Sequence, residues 1–409
     1  MDRRRLWRGL DRVVVILCVT EIISWGTLYY SLPAATAAIE ADTGWSAVSI
    51  TASFSGGLIL SALAGILVGR LLDRISPRTV MTAGSLVAAV GLVLVALAPT
   101  LVFFLLAWLV VGVAQAAVLY QPAFTVIGRH YGSGLDKPML LLTLAGGLAS
   151  TVFVPITAQL LTALDWRTTY LVLGLVLTAT TVPLHLLLPA ERAASNEKVA
   201  TPGRRDGPVI RSRMFLFLVI GVTGLTFSAY AVTLNLIPLF AEHGFSTGFA
   251  AAGLALVGIG QVIGRIGLIA LNRYIPSRLR PAAVGASIAI VLFLFAVVAG
   301  PPLLLAVVAV IAGAARGALT LIQATAIAER WGRDRLGSLN GVFGAPITAA
   351  MALTPVAGVA VGTITSSYAT AAAIFSAIAL ASAAAAFAAD ARRTRPPALT
   401  AATRPPFIS

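Results

Sequence analysis

Cysteine, acidic residues and long polar runs are what this sequence has least of. The single cysteine, Cys18, excludes a disulfide framework and a thiolate metal site. Only 11% of the 409 residues are charged while 58% are hydrophobic, and the mean hydropathy is +0.94, outside the range of a water-soluble domain of this length. Acids number 15 against 29 bases, for a net charge of +14. Such a charge would suit nucleic acid if the bases gathered on one patch. Here they are dealt out between apolar segments, so no nucleic-acid partner is expected. There is no HExxH, no paired His and Cys, and no close pair of acids within an apolar segment. An enzyme embedded in the bilayer would lack its nucleophile, base or metal, and no cofactor is expected. The solvent for most of the chain is lipid.

A span needs about 20 mostly apolar residues to cross about 30 Å of hydrocarbon. Such runs are expected near 13–38, 46–69, 79–98, 101–128, 138–163 and 168–189, and again near 214–240, 247–271, 281–299, 302–327, 337–362 and 367–389. The fold class that follows is an all-α membrane protein of twelve transmembrane helices. Its expected divisions are an N-terminal six-helix half (1–189), a polar linker (190–213), a C-terminal six-helix half (214–389) and a tail (390–409). The opening Arg3, Arg4, Arg5 and Arg8 before an apolar run imitate a signal peptide, but the many further spans make this an uncleaved first helix.

With twelve spans, 26 of the 29 bases fall in the termini or in loops on one side, and of the loops on the other side only one holds a base, Arg167. Positive segments stay cytoplasmic, so both termini are expected there, in a plasma (inner) membrane crossed many times. The halves also repeat. Gly112, Ala117, Ala123 and Arg129 of span 4 match Gly313, Ala318, Ala324 and Arg330 of span 10, and the loop residues Leu72, Arg74 and Pro77 match Leu271, Arg273 and Pro276. Repeated halves around a midplane site are the architecture of many secondary transporters.

Span 2 ends in GRLLDRISPR, Gly69 to Arg78. This segment resembles the signature loop of the major facilitator superfamily, and span count, repeat and central linker extend the resemblance to the whole chain. It implies that Gly69, Asp73, Arg74 and Arg78 form a gate, with Asp73 and Arg74 latching the halves in an outward-facing state. Charge topology alone explains the arginines but not Gly69 or Asp73. Span 2 also carries Gly57, Ser61, Gly65 and Gly69 at intervals of four, a stripe that lets another helix approach closely.

Three ionisable residues lie inside spans: Glu21, Arg265 and Arg316. Each costs roughly 2.5 to 3.5 kcal/mol at mid-membrane and must be paired or face water. Arg265 lies seven residues before the polar end of span 8, roughly 10 Å deep, with Gln261 one turn earlier. A guanidinium there can grip a carboxylate through two parallel hydrogen bonds. Glu21 is the one acid inside any span and can carry a proton or pair an arginine. Arg316 falls opposite Gln115 in the repeat, as a second anion contact or as a charge partner of Glu21. Tyr29, Tyr30, Tyr120, Gln115, Asn235 and Gln323 are uncharged polar groups that either line a cavity or glue helices together.

SWGTLYYSLP in span 1 and GQVIGR in span 8 are similar to the monocarboxylate and oxalate carriers of the superfamily. That resemblance implies that Arg265 binds a substrate carboxylate and that Tyr120 lines the site. Many such carriers place an acid where this chain has Gln261, and span 1 holds no lysine. The expected function is secondary active transport of a small organic anion, coupled to protons. The other readings are a proton-antiporting exporter of drugs or metabolites, and a membrane sensor built on a carrier fold.

Overall fold

The computed structural model describes residues 11–131, 134–190, 207–272, 274–332 and 336–390. Most of the linker expected over 190–213, and the tail after 390, lie outside the described residues. Twelve helices are long and apolar enough to cross a membrane. They are α1 (Arg12–Thr43), α2 (Ala47–Arg74), α3 (Pro77–Ala96), α4 (Leu101–Tyr131), α5 (Asp136–Ala163), α6 (Trp166–Leu186), α7 (Arg213–Leu234), α8 (Thr247–Leu271), α9 (Arg280–Val297), α10 (Pro302–Trp331), α11 (Leu336–Thr365) and α12 (Tyr368–Asp390). All twelve coincide with the runs read from hydropathy.

Helix starts follow local chemistry. Ser46, Ser76, Thr100, Asp165, Ser212 and Ser246 each stand before a helix, and each side chain accepts the backbone N–H three residues on. That satisfies an N–H the helix itself cannot reach.

Three helices are interrupted part-way along, and the interruptions share a cause. α1 winds into a π-helical segment at Gly26–Tyr30, α4 breaks at Leu119, and α7 breaks at Asn235 before resuming as Leu236–Glu242. Pro33, Pro122 and Pro238 follow, and a proline offers no N–H to the carbonyl four residues back, here Tyr29, Val118 and Leu234. α10 has proline only at its start and runs unbroken for 30 residues. Pro155 and Pro183 are carried inside α5 and α6 without a break.

Packing repeats between the halves. α2 lies along α4 as α8 lies along α10, α3 along α6 as α9 along α12, and α1 along α5 as α7 along α11. The closest approaches repeat as well: Gly112 abuts the Gly57 carbonyl, and its counterpart Gly313 abuts Val257 and Gly260. Small residues admit such backbone contact between helices in lipid. Between the halves, α2 runs along α11 over most of its length, whereas α5 and α8 touch more sparingly.

Candidate functional site

The interruptions bring polar and aromatic side chains into the middle of the bundle. Trp25, Tyr29 and Tyr30 come from the end of the first α1 segment and its π segment, and Tyr120 from the break in α4. The Trp25 ring lies 5.1 Å from Tyr29 and 5.0 Å from Tyr120, and Tyr120 stacks on Phe124 at 5.1 Å. Arg265 reaches this cluster from α8. Its side chain is buried at 4% exposure, and no hydrogen bond or ion pair forms to it among the described residues. Room for it is made by Gly147 on α5, where a methyl group would sit 2.6 Å from Arg265 Nη1. The neighbouring Gly146 does the same for the Tyr120 hydroxyl, which donates to the Thr143 carbonyl at 3.2 Å.

Arg316 enters from α10. Its guanidinium lies 3.6 Å over the Tyr230 ring of α7, and Nη1 donates to Thr233 Oγ1 at 2.9 Å. Tyr30 lies within electrostatic reach of both Arg265 and Arg316. Glu21, on α1 one turn before Trp25, is 0% exposed, and neither carboxylate oxygen accepts a hydrogen bond. The Trp25 indole N–H faces it without closing a bond. No ion pair links Glu21 to Arg316. Trp25, one turn on from Glu21, packs on Tyr120, and adjacent glycines of α5 make room for Tyr120 and Arg265.

The other polar residues singled out in the sequence do not all join this group. Gln115 donates from Nε2 to the Leu28 carbonyl at 2.8 Å, pinning α4 to the π segment of α1. Gln323 donates to Thr226 Oγ1 at 2.7 Å, joining α10 to α7. Asn235 donates to Ala231 O at 2.8 Å and its amide packs on Gly358 of α11, away from the arginines. Gln261 sits one turn from Arg265 with its backbone against Gly317. The structure adds Tyr230, Thr233, Gly146 and Gly147, which hydropathy and charge did not single out; the double glycine in the middle of an apolar run was the available signal.

The signature loop sits at the face carrying the basic loops. Asp73 Oδ1 and Oδ2 accept the backbone N–H groups of Gly337 and Ser338, at 2.9 and 2.7 Å, at the N-terminus of α11. A carboxylate there meets unpaired N–H groups and the positive end of the helix dipole. Its arginine partner is Arg129 of α4, which also donates to the Leu72 carbonyl at 2.7 Å. Arg74 and Arg78, the arginines of the loop itself, are exposed. Gly69 lies against Gly337 and Gly341, so no side chain separates α2 from α11 there. The stripe on α2 divides: Gly57 faces α4, Gly69 faces α11, and Gly65 turns to open space with its carbonyl against Gly341.

At the opposite face, acids tie helices within each half. Asp42 of α1 accepts the Trp166 indole N–H at 2.8 Å and pairs with Arg167. Glu242, beyond α7, accepts Ser367 Oγ at 2.6 Å and the Tyr368 N–H at the start of α12. Burial alone would raise the Glu242 pKa; the bonds from Ser367 and Tyr368 outweigh it and hold the value below that of an ordinary glutamate.

Comparison with known proteins agrees with this geometry. The family model of the Major Facilitator Superfamily matches residues 17–304. Monocarboxylate transporter 13 of Bos taurus is 23% identical over 342 residues, which cover 80% of this chain and 77% of that protein. Among solved structures, the transporter FucP in its outward conformation superposes with a TM-score of 0.72 at 16% identity, over 94% of this chain and 99% of that one. The human organic anion transporter MFSD10 does so with a TM-score of 0.69 at 15% identity, over 93% and 99%. With the family model covering most of its length and two six-helix halves joined at the Asp73 seam, the chain is a transporter of the major facilitator superfamily.

Proposed function

We propose that the protein is a secondary active carrier of a small organic anion, monocarboxylate-like, which it moves together with a proton. The observation that carries this reading is Arg265, a buried guanidinium without a hydrogen bond or ion pair among the described residues, facing an aromatic cluster in the middle of the bundle. Leaving such a charge uncompensated is costly in lipid, and a carboxylate supplies the compensation through two charge-assisted hydrogen bonds. The names of the bovine monocarboxylate transporter and the human organic anion transporter point the same way.

In this reading the face with the basic loops is cytoplasmic. Asp73, held by Arg129 and the α11 N-terminus, seals that side while the cavity faces out. Anion binding neutralises Arg265 and lets the aromatic side chains of α1 and α4 close over a nearly neutral load, which favours the occluded state through differential binding. Glu21 takes the proton. It lies one turn from Trp25, whose ring packs on Tyr120, so the aromatic cluster stands between the acid and the α8 arginine's side of the site. A proton travelling with a monoanion removes the electrical penalty of about 2.3 kcal/mol per charge per 100 mV that an inside-negative membrane would impose on the anion alone.

The test is uptake and counterflow in liposomes with small carboxylates, inorganic anions and hydrophobic cations, with and without a pH gradient. Carboxylate counterflow is expected. Arg265→Lys keeps the charge but loses the fork, and should weaken binding about tenfold or more. Glu21→Gln should keep exchange and lose accumulation driven by the pH gradient. Proton-driven movement of cations with no carboxylate flux would instead identify an exporter. Undiminished substrate binding by Arg265→Ala would place the anion site elsewhere.

A further inference from the structure

Two buried groups one turn apart on α1 lack the partners their chemistry calls for. Both carboxylate oxygens of Glu21 accept nothing, and the indole N–H of Trp25 donates to nothing, among the described residues. Residues four apart stand one above the other on a helix, so each is the other's nearest candidate. Ser24 Oγ is also without a partner, but a hydroxyl in a helix can turn back to the carbonyl four residues earlier, as those of Thr27, Ser31 and Ser53 do. An indole N–H has no such recourse. The demand on the other side depends on the proton. A neutral carboxyl group is tolerated in an apolar setting, whereas a buried carboxylate requires a donor. The N–H is therefore needed in one protonation state of Glu21 and idle in the other.

The ring that carries this N–H also forms part of the site's wall. It packs on Tyr29 at 5.1 Å and on Tyr120 at 5.0 Å. Its surroundings leave the indole as the piece that moves. Gly26, the next residue, lies against Phe153 of α5, which fixes the backbone, and the Tyr120 hydroxyl is held by the Thr143 carbonyl at 3.2 Å. Resting on the proton-coupled reading above, we infer that Trp25 is the positioning residue that links proton to substrate. Its N–H closes on ionised Glu21 and draws the ring away from Tyr120; protonation of Glu21 releases the ring to the wall. The arrangement described, with the bond open and the ring on Tyr120, is the proton-loaded one. By linkage, the state that completes the wall for the anion is the state that holds the proton. The titratable neighbours are few. Cys18 lies three residues before Glu21 on α1, Tyr120 comes from α4 against the indole, and Arg265 comes from α8 at the glycine next to that of Tyr120. The other titratable groups of α4, α5 and α6, the helices packed along this stretch, lie towards the helix ends.

The experiment labels the full carrier with fluorotryptophan and follows Trp25 by fluorine NMR, its signal among the six tryptophans identified by its absence in Trp25→Phe. In the wild type that signal should shift as pH passes from mildly acid to mildly alkaline, and in Glu21→Gln it should stay still. Ser24→Ala should titrate as the wild type does. In liposomes, two variants remove the N–H: Trp25→Phe, and a benzothienyl side chain at the same position that keeps the indole shape. Both should leave counterflow of propionate and lactate within about twofold of wild type and lose accumulation driven by a pH gradient. Wild-type binding of these anions should weaken about tenfold once Glu21 is ionised, and binding by the two variants should not follow pH in this way. A Trp25 signal unmoved by pH, or moving equally in Glu21→Gln, overturns this inference and leaves proton-coupled transport standing. Gradient-driven accumulation by the benzothienyl variant does the same. Absence of carboxylate counterflow in the wild type overturns the proposed function and this inference together.

Discussion

Two seams join the halves, and the repeat makes them directly comparable. On the α2–α11 seam, Gly65 and Gly69 meet Gly337 and Gly341, and Asp73 caps α11 while pairing with Arg129. On the α5–α8 side the matching sequence positions turn inward: Gly264 packs on Ala314 of α10 and Leu268 shares a cavity with Leu321 and Thr325 of α10, while Asn272 stands in place of Asp73. Asn272 reaches Asp136 Oδ2 with one hydrogen bond of 3.4 Å. Arg280 and Glu329 pair at 3.1 Å within the second half instead of across to the first. One loop sequence, duplicated, became a lock on one side and a loose contact on the other. What differs is one carboxylate and the helix that the matching positions face.

Filling the tight seam should have the largest effect. Gly69→Leu places a side chain against the Gly337 carbonyl, and is expected to cost about 3 kcal/mol, read as a large fall in melting temperature in detergent. An unchanged melt would mean the seam is not held by close approach. Asp73→Asn keeps the shape and removes the charge. It should weaken closure of the basic face by about 2 kcal/mol. In a Cys18→Ser background, a cysteine placed at Ser150, on α5 about one turn from the Gly147 that abuts Arg265, should then react roughly thirtyfold faster with an impermeant reagent from that face. Substrate binding should persist, and unaltered reactivity would remove the latch.

Glu242 joins helices within a half, so its loss should leave that reactivity untouched. Its pKa is depressed in the folded protein, so it contributes stability above the ordinary value of 4.5, and that contribution is lost as pH falls through the folded value. Glu242→Gln should melt slightly lower than wild type at neutral pH, by about 0.5 kcal/mol for an exposed cap. The two curves should converge below about pH 4.5. A gap that widens in acid would reverse the sign. Asn272→Ala should have the smallest effect, less than about 0.5 kcal/mol on either readout; a shift as large as that of Asp73→Asn would show the two seams to be equivalent.

The twelve spans and the signature loop were legible because hydropathy and charge placement are imposed by lipid at every position. Helix interruption was not, although Pro33, Pro122 and Pro238 were in plain view. Helices in lipid tolerate proline, as Pro155 and Pro183 show, so a proline in an apolar run does not announce a break. Arg265 and Glu21 were visible because burying charge in an apolar run is rare. Their surroundings were not: that Gly147 makes room for Arg265, or that Tyr230 lies under Arg316, depends on which faces of separate helices meet. Asp73 and Arg74 were expected to latch the halves together; Arg74 is exposed, and the arginine that pairs with Asp73 is Arg129. Charge topology calls for arginines on that face without saying which of them turns inward.

The π segment at Gly26–Tyr30 has a consequence in angle as well as in hydrogen bonding. Each residue of an α-helix turns the chain by about 100°, and a π segment accommodates one residue beyond the α register. The stretch of α1 bearing Glu21 and the stretch after Tyr30 are therefore indexed separately. Deleting one residue from the segment would twist one stretch against the other by about that angle, a change that no point substitution reproduces. Reversible winding of the same five residues between π and α geometry would turn the acid relative to the tyrosines while both ends of the helix stay anchored, Asp11 to His130 on one face and Asp42 to Trp166 on the other.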